Sequence, residues 1–341
     1  DIGGGLSIYE NPSLMNLSGL ENLDTIGGDL TIEFNSSLES LSSLSSLYYI
    51  GGDITINDNN AIMNLLGLDN ITSVNGDLYF RSNFSLTNLV GLDNVSSIEG
   101  GLTIYLTSIT DLSGLENLSV IGDDLTFTSN SHIQNLSEIS NLISIGGSIY
   151  IVANYSMTSL VGLENITSVG GTINIQDNPV LSSLTGLDNI VSIGNSLVIH
   201  GNGILANLYS LSSLSTIGGG NLRVTFNSSL ASLSGLDNID AKSISGLGIY
   251  TNQLLTHCEV KSVCEYLANP NGSIEIASNS TGCNSQQEVE EACMVGIPEI
   301  PKDVKISIYP NPFKTSTTIE YELTEPAHIQ LIIYNHLGEA V

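Results

Sequence analysis

Apolar positions recur along most of the chain with a period close to 24 residues. A short alternating segment such as Leu30-Thr31-Ile32-Glu33 follows Gly-Gly-Asp or a similar triplet, and we name the first apolar residue of each segment the opener. Successive openers lie 23 to 25 residues apart, at Leu6, Leu30, Ile54, Leu78, Leu102, Leu125, Ile149, Ile173, Leu197, Leu222 and Leu247. A constant period in this range is typical of a solenoid of stacked coils.

The pattern inside each coil predicts strands and turns rather than helices. The opener segment alternates apolar and polar residues, as a short half-buried strand does. The rest of the coil repeats at a spacing of three, as in Leu14, Leu17, Leu20, Leu23 and Ile26, which suits extended or 3₁₀-like turns. No helical period is sustained before about residue 259. We therefore predict a mainly β, parallel solenoid of about 11 coils.

Two polar columns accompany the openers. Two residues before the opener stands Gly, Asn, Asp or Ser, which predicts a tight corner with positive φ. Five residues after it stands an asparagine in every coil except the fifth, which has Thr107. We expect this inner asparagine to bind turn backbone that the coil leaves unpaired.

The repeated unit LxxLxGLxNLxxIGGDLxIxxNxxL resembles the receptor L-domain branch of leucine-rich-repeat solenoids. The resemblance covers residues 1–256 and implies a right-handed parallel solenoid. That branch includes the ligand-binding L domains of insulin- and EGF-type receptors and many microbial surface proteins. It therefore implies binding, although such repeats host many different ligands.

All four cysteines lie in the segment 257–296, which departs from the repeat: Cys258, Cys264, Cys283 and Cys293. We expect it to form a C-terminal cap with helices at about 259–268 and 285–293. Two disulfides are predicted, which indicates an oxidising, extracytoplasmic compartment. Zinc is the alternative, but the knuckle spacing of two to four residues is missing. Resemblance to leucine-rich-repeat caps implies the pairs Cys258–Cys283 and Cys264–Cys293.

A Pro-containing linker at 297–304 leads to a segment, 305–341, with plain strand alternation. This segment resembles the type A C-terminal sorting domain of the Bacteroidetes type IX secretion system, a β-sandwich that is expected to be incomplete at Val341. The resemblance implies export through the periplasm and the type IX translocon as the partner of this segment. Its motif residues are Tyr309, Pro310, Asn311, Pro312, Phe313, Tyr334, Asn335, Leu337 and Gly338.

Composition narrows the function classes. Only 12% of the 341 residues are charged, with 7 basic against 35 acidic residues, so the net charge is −28. Such a chain neutralises few phosphates, which argues against nucleic-acid binding. No apolar run approaches the roughly 18 residues of a membrane helix. Neither a G-x-S-x-G nor an H-E-x-x-H motif occurs, and we predict a protein that is not an enzyme.

Carboxylates recur in two columns. Asp29, Asp53, Asp77 and Asp124 directly precede openers, and the second column contains Glu21, Asp69, Asp93, Glu116, Glu164, Asp188 and Asp237. Stacked carboxylates suggest Ca²⁺, for which Asp29, Asp53 and Asp77 are weak candidates. The alternative is turn chemistry, in which each carboxylate accepts hydrogen bonds from backbone amides. No other cofactor is expected.

Outward-facing strand positions are the best ligand candidates. Tyr79, Arg81, Tyr105 and Tyr150 cluster near the irregular fifth coil, and a polar, aromatic face suits glycans or a protein partner. The alternative is an ordinary solvated β face. In addition, Asp24-Thr25-Ile26 resembles the Bacteroidetes O-glycosylation signal, which makes Thr25 a modification candidate.

These observations lead to two hypotheses. The first is a secreted or cell-surface, non-catalytic solenoid that binds a protein or glycan partner in recognition or adhesion. The alternative is a structural subunit of a surface layer or filament.

Overall fold

The repeat folds into one continuous stack of strands. The computed structural model describes residues 1–295, 305–309 and 318–322. Twelve strands form a single parallel sheet in chain order. They are β1 Leu6–Tyr9, β2 Leu30–Glu33, β3 Ile54–Asn57, β4 Leu78–Arg81, β5 Leu102–Tyr105, β6 Leu125–Thr128, β7 Ile149–Val152, β8 Ile173–Gln176, β9 Leu197–His200, β10 Asn221–Thr225, β11 Gly246–Tyr250 and β12 Ile274–Ala277.

The predicted parallel stacking is confirmed, because each opener pairs with the next, as Leu78 does with Leu102. A second line of two-residue strands follows the other edge of the coil. Its first two strands pair separately and the last seven form one parallel sheet. The bounds are Thr25–Ile26, Tyr49–Ile50, Ser73–Val74, Ser97–Ile98, Val120–Ile121, Ser144–Ile145, Ser168–Val169, Ser192–Ile193 and Thr216–Ile217.

The core lies between these two lines of strands. Residues spaced by three point inward, and Ile62, Leu65, Leu68 and Ile71 of the third coil are fully buried. Four coils tighten one of these steps into a 3₁₀-helix, at Ser42–Leu44, Ser137–Ile139, Tyr209–Leu211 and Ala241–Ser243. Burial of such a continuous apolar column is what stacks coils that are too short to fold alone.

The inner asparagines form a hydrogen-bonded ladder along the stack. Asn59 is typical: its backbone amide donates to Asn83 Oδ1 at 2.9 Å, and its Nδ2 donates to the Ile32 carbonyl of the preceding coil at 2.7 Å. In the fifth coil the Thr107 hydroxyl donates forward to Asn130 Oδ1 at 2.8 Å. Each asparagine thus joins its coil to both neighbours.

The prediction of positive φ two residues before the opener is wrong. Positive φ occurs instead four residues after the opener, where the strand ends and the chain bends to turn the inner asparagine inward; Phe34 and Phe226 have φ of 57° and 60°. The glycines at the predicted corner have another role, which is close packing. A Cβ on Gly28 would lie 2.9 Å from the Gly5 nitrogen of the preceding coil.

The cap contains a twelfth strand that the sequence analysis missed. Helix α1, Lys261–Ala268, is followed by β12, which pairs in parallel with β11, and then by helix α2, Gln286–Val295. Asn279 extends the ladder, because its Oδ1 accepts from the Asn252 amide at 2.9 Å. Gly272, Ile274 and Asn279 occupy the usual corner, opener and ladder positions, but helix α1 lengthens the interval from Leu247 to 27 residues.

Two disulfides close the cap, Cys258–Cys283 and Cys264–Cys293, the pairing that the resemblance to leucine-rich-repeat caps implies. They span 25 and 29 residues.

The second compact unit, Met294–Val341, contains an antiparallel pair, β13 Lys305–Tyr309 and β14 Thr318–Glu322. The remaining sorting-motif residues, from Pro310 to Phe313 and from Tyr334 to Gly338, lie outside the described residues.

Reduction of the disulfides is expected to loosen the cap before the rest of the solenoid. Loops of this length contribute about 3 kcal/mol each in the chain-entropy model. We expect dithiothreitol to lower the melting temperature of the cap and to raise amide exchange in α1, β12 and α2. Strands β2–β8 serve as the internal control and should keep their protection. An unchanged melting temperature and exchange pattern would contradict this role.

Candidate binding surface

The outward face of the long sheet is formed by the strand residues that do not pack into the core. Strands from β2 to β9 alternate buried and more exposed residues, as in the Leu125, Thr126, Phe127, Thr128 sequence of β6, except that Asn57 at the end of β3 is buried. Outward side chains therefore form two rows across the coils, one and three residues after the opener. We name these two rows the outer face.

The four candidates divide into a pair and two separate residues. The Arg81 guanidinium lies over the Tyr105 ring, 5.4 Å from its centroid, and the two residues are register partners on β4 and β5. Tyr79 lies on the same strand as Arg81, in the other row. Tyr150 lies on β7, two strands beyond Tyr105. The arginine and Tyr105 thus form one cation–π unit, and Tyr150 belongs to a different part of the face.

A second cluster, which the sequence analysis did not single out, lies at the C-terminal end of the outer face. The Phe226 ring lies 5.0 Å from the His200 ring and 5.9 Å from the Tyr250 ring. Arg223 Nη2 donates to Tyr250 Oη at 2.9 Å, and His200 Nδ1 is 2.8 Å from Thr225 Oγ1. We name His200, Arg223, Phe226 and Tyr250 the C-terminal cluster.

The sequence analysis missed this cluster because its central residue, Phe226, stands four residues after the opener, at the end of the strand. The positive φ there directs Phe226 beside the strand ends, where it meets residues of the coils before and after it. A strand pattern of period two assigns no face to that residue. Aromatic residues at this position, such as Phe34 next to Tyr9 at 5.4 Å, were the available signal.

Arg81 of the cation–π unit and Arg223 of the C-terminal cluster are not neutralised by a nearby carboxylate among the described residues. Within the described part of the chain, Lys261 and Glu265 form an ion pair at 3.9 Å, and His200 Nε2 lies 3.9 Å from Asp177 Oδ1. No described carboxylate therefore lies at ion-pair distance from Arg81 or Arg223. In a chain of net charge −28, these two exposed guanidinium groups are local sites for an anionic or strongly polar group of a ligand.

The first acidic column binds backbone amides of the next coil. Asp29 Oδ1 accepts from the Asp53 amide at 2.9 Å, and Asp53 Oδ1 accepts from the Asp77 amide at 2.7 Å. Asp77 continues the series with the Gly101 amide at 2.7 Å. The carboxylates of this column therefore accept hydrogen bonds from backbone amides and join adjacent coils, as the turn-chemistry alternative expects.

The second column stabilises a glycine turn within its own coil. Its seven carboxylates each accept from the amide of the glycine two residues earlier, as Glu164 does from Gly162 at 2.8 Å. Those glycines have positive φ, 113° at Gly162. Among the residues that the structure describes, no group of three or more His, Cys, Asp or Glu side chains is placed to hold a metal ion.

Among the described residues, two ionisable side chains have clearly shifted pKa values. A hydrogen bond with Glu10, followed by the negative charge of Glu10, raises the pKa of the Tyr9 phenol. Burial acts to raise the pKa of Asp111, but hydrogen bonds from Ser113 and Thr110 outweigh it, so that the pKa is lowered. Both shifts keep the groups in their ordinary charge states near neutral pH.

Thr25 lies in a two-residue strand away from the outer face. It is half-buried, and its hydroxyl donates to Asp1 Oδ1 at 3.0 Å.

In the described ranges, no helix has the length and apolar character required to cross a bilayer.

Part of the repeat matches a known protein family. Residues 70–188 match the receptor L domain family. The match includes β4–β8, and the same strand register continues on both sides of it. A comparison with curated proteins finds no match. The L-domain match and the two disulfides together indicate an extracellular or surface protein with a ligand-binding, receptor-like solenoid.

Proposed function

We propose that the chain is a non-catalytic recognition protein of the cell surface, which binds a protein or glycan partner through the outer face in adhesion. The observation that carries this proposal is the pairing of exposed arginine with tyrosine at two places on a face that has few other charged residues, among them Glu33 and Glu275. Arg81 stacks on Tyr105, and Arg223 is held by Tyr250. Tyrosine and arginine are, with tryptophan, the residues enriched at binding hot spots.

Binding of the purified chain to arrays of glycans and of surface proteins tests this proposal. The double variant Arg81→Ala/Tyr105→Ala should lose at least tenfold in affinity for the partner found, because truncated hot-spot residues cost about 2 kcal/mol or more. Tyr209→Ala is the matched control, since Tyr209 is 62% exposed but lies in a 3₁₀-helix outside the sheet. Absence of any partner, together with ordered polymers in negative-stain images, would favour a structural subunit instead.

Export by the type IX system is the second part of the proposal. The Tyr309-Pro310-Asn311-Pro312-Phe313 motif and the strand alternation after residue 305 support it. The antiparallel pairing of β13 with β14 is compatible with the β-sandwich of such sorting domains.

Deletion of residues 305–341 is expected to block surface delivery without unfolding the solenoid, because Asp1–Cys293 forms a separate compact unit. In a host with a type IX system, the truncated chain should accumulate in the periplasm. Cell fractionation and surface proteolysis provide the measurement. The control is an internal deletion of the linker 297–304 that keeps residues 305–341. Normal surface delivery of the chain without 305–341 would refute the assignment.

A further inference from the structure

A trough crosses the C-terminal end of the outer face because one strand lacks outward side chains there. Strand β11 places Gly246 and Gly248 outward, and Tyr250 is the next residue on that side. The resulting cavity has a volume of about 400 Å³. It is lined by Asn221 and Arg223 of β10, by Glu275 of β12 and by Ser273, which directly precedes β12.

The fold does not require Gly248 to be a glycine. Its φ is not positive, and the atoms nearest to a Cβ there would be Arg223 Cγ, Arg223 Nε and Tyr250 Cε1, each at 3.6 Å, which is ordinary contact. Threonine is common in the same row, for example at Thr103 and Thr126. Glycine inside a strand weakens it and often marks a site that a ligand approaches closely.

Residues of opposite charge lie on the two strands that flank Gly248, and the Arg223 side chain extends over this glycine. Arg223 and Glu275 are register neighbours of Gly248 on its two sides, so their Cα atoms are about 10 Å apart, two strand spacings. They are not an ion pair, although both are exposed. Tyr250 Oη holds one Arg223 nitrogen at 2.9 Å and thereby orients the guanidinium.

We propose that the trough binds an acidic sugar residue, a uronic acid, at the end of a glycan. The planar guanidinium of Arg223 pairs bidentately with the sugar carboxylate. Glu275 accepts hydrogen bonds from hydroxyls on the opposite side of the ring, and Asn221 and Ser273 supply further polar contacts. A pyranose ring separates its carboxylate from its distal hydroxyls, which matches walls two strands apart better than the adjacent charges of an amino acid do. The inference deepens the proposed function, because it names a ligand class for the outer face.

Calorimetric titration of the purified chain with galacturonate, glucuronate, galactose, glucose and glycine tests the proposal. The uronates should bind at least tenfold more tightly than the neutral sugars and glycine. Arg223→Gln should remove this preference. Gly248→Thr should abolish uronate binding while keeping or raising the melting temperature, because threonine suits a strand better than glycine. Thr126→Ser, in the same row but far from the trough, is the control and should bind as the parent does.

The proposal is overturned if the uronates fail to bind, if neutral sugars or glycine bind equally well, or if binding survives Gly248→Thr. Its failure is distinguishable from failure of the proposed function. If a partner found on the arrays still binds more weakly to Arg81→Ala/Tyr105→Ala, the outer face remains supported as a binding surface. Only the proposal that the trough binds a uronic acid would then be rejected.

Discussion

Replacing Gly162 by alanine is expected to destabilise the solenoid by more than about 3 kcal/mol. A residue other than glycine at its φ of 113° is strained by about 1–3 kcal/mol, and a Cβ there would also overlap the Leu136 carbonyl of the preceding coil. The coils are packed so closely that this overlap is relieved only by separating them. Urea unfolding followed by circular dichroism measures the loss.

Gly19 provides a matched control for this substitution. It occupies the same position in the first coil with a φ of 107°, yet a Cβ there would meet nothing within 4 Å. Gly19→Ala should therefore cost only the backbone strain of about 1–3 kcal/mol. Equal destabilisation by the two variants would contradict close coil stacking as the reason for the glycine.

Replacing Asn154 by leucine is expected to cost about 2–4 kcal/mol. The fully buried Asn154 side chain accepts from the Asn130 amide at 3.2 Å and donates to the Phe127 carbonyl at 2.9 Å. Leucine has similar size but leaves the Asn130 amide unpaired, at about 1–3 kcal/mol, and removes one hydrogen bond to the Phe127 carbonyl, at about 0.5–1.5 kcal/mol. That carbonyl keeps its place in the parallel ladder with β7. Hydrogen exchange should show the loss concentrated in β6 and β7, because each coil contacts only its neighbours.

Asn165→Leu is the control for the ladder. Asn165 also donates to a backbone carbonyl of another coil, Ser140, at 2.8 Å, but it is exposed to water. Water can satisfy the Ser140 carbonyl after substitution, so the cost should stay below about 1 kcal/mol. A loss at Asn165 as large as at Asn154 would show that burial does not decide the contribution of these asparagines.

The openers and the inner asparagines allowed the stack to be predicted, because a side chain that repeats at one position must meet its own copy in the next coil. Leu102 and Leu125 pair although their coil is one residue short. The three-residue spacing likewise identified the buried residues. What the period could not identify is where the chain departs from it, as at Ile274, which helix α1 displaces from the expected position.

The outer face was harder to predict than the core. Rows of outward residues follow from strand alternation, and they placed Arg81 beside Tyr105. The contact of Phe226 with His200 and Tyr250 depends on backbone dihedrals at the strand ends, which leave no period in the sequence. The roles of the acidic columns also required coordinates, because Asp53 could bind either a cation or the amide of Asp77 at that position.

Hydroxyl-radical footprinting of the chain, free and bound to the partner identified on the arrays, tests the central claim that the outer face binds ligand. Tyrosine side chains report directly on both sides of the solenoid. The account predicts protection of Tyr79, Tyr105 and Tyr250, with no change at Tyr48 and Tyr209, which are 59% and 62% exposed outside the long sheet. Protection of Tyr48 and Tyr209 with unchanged labelling of the outer-face tyrosines would contradict it.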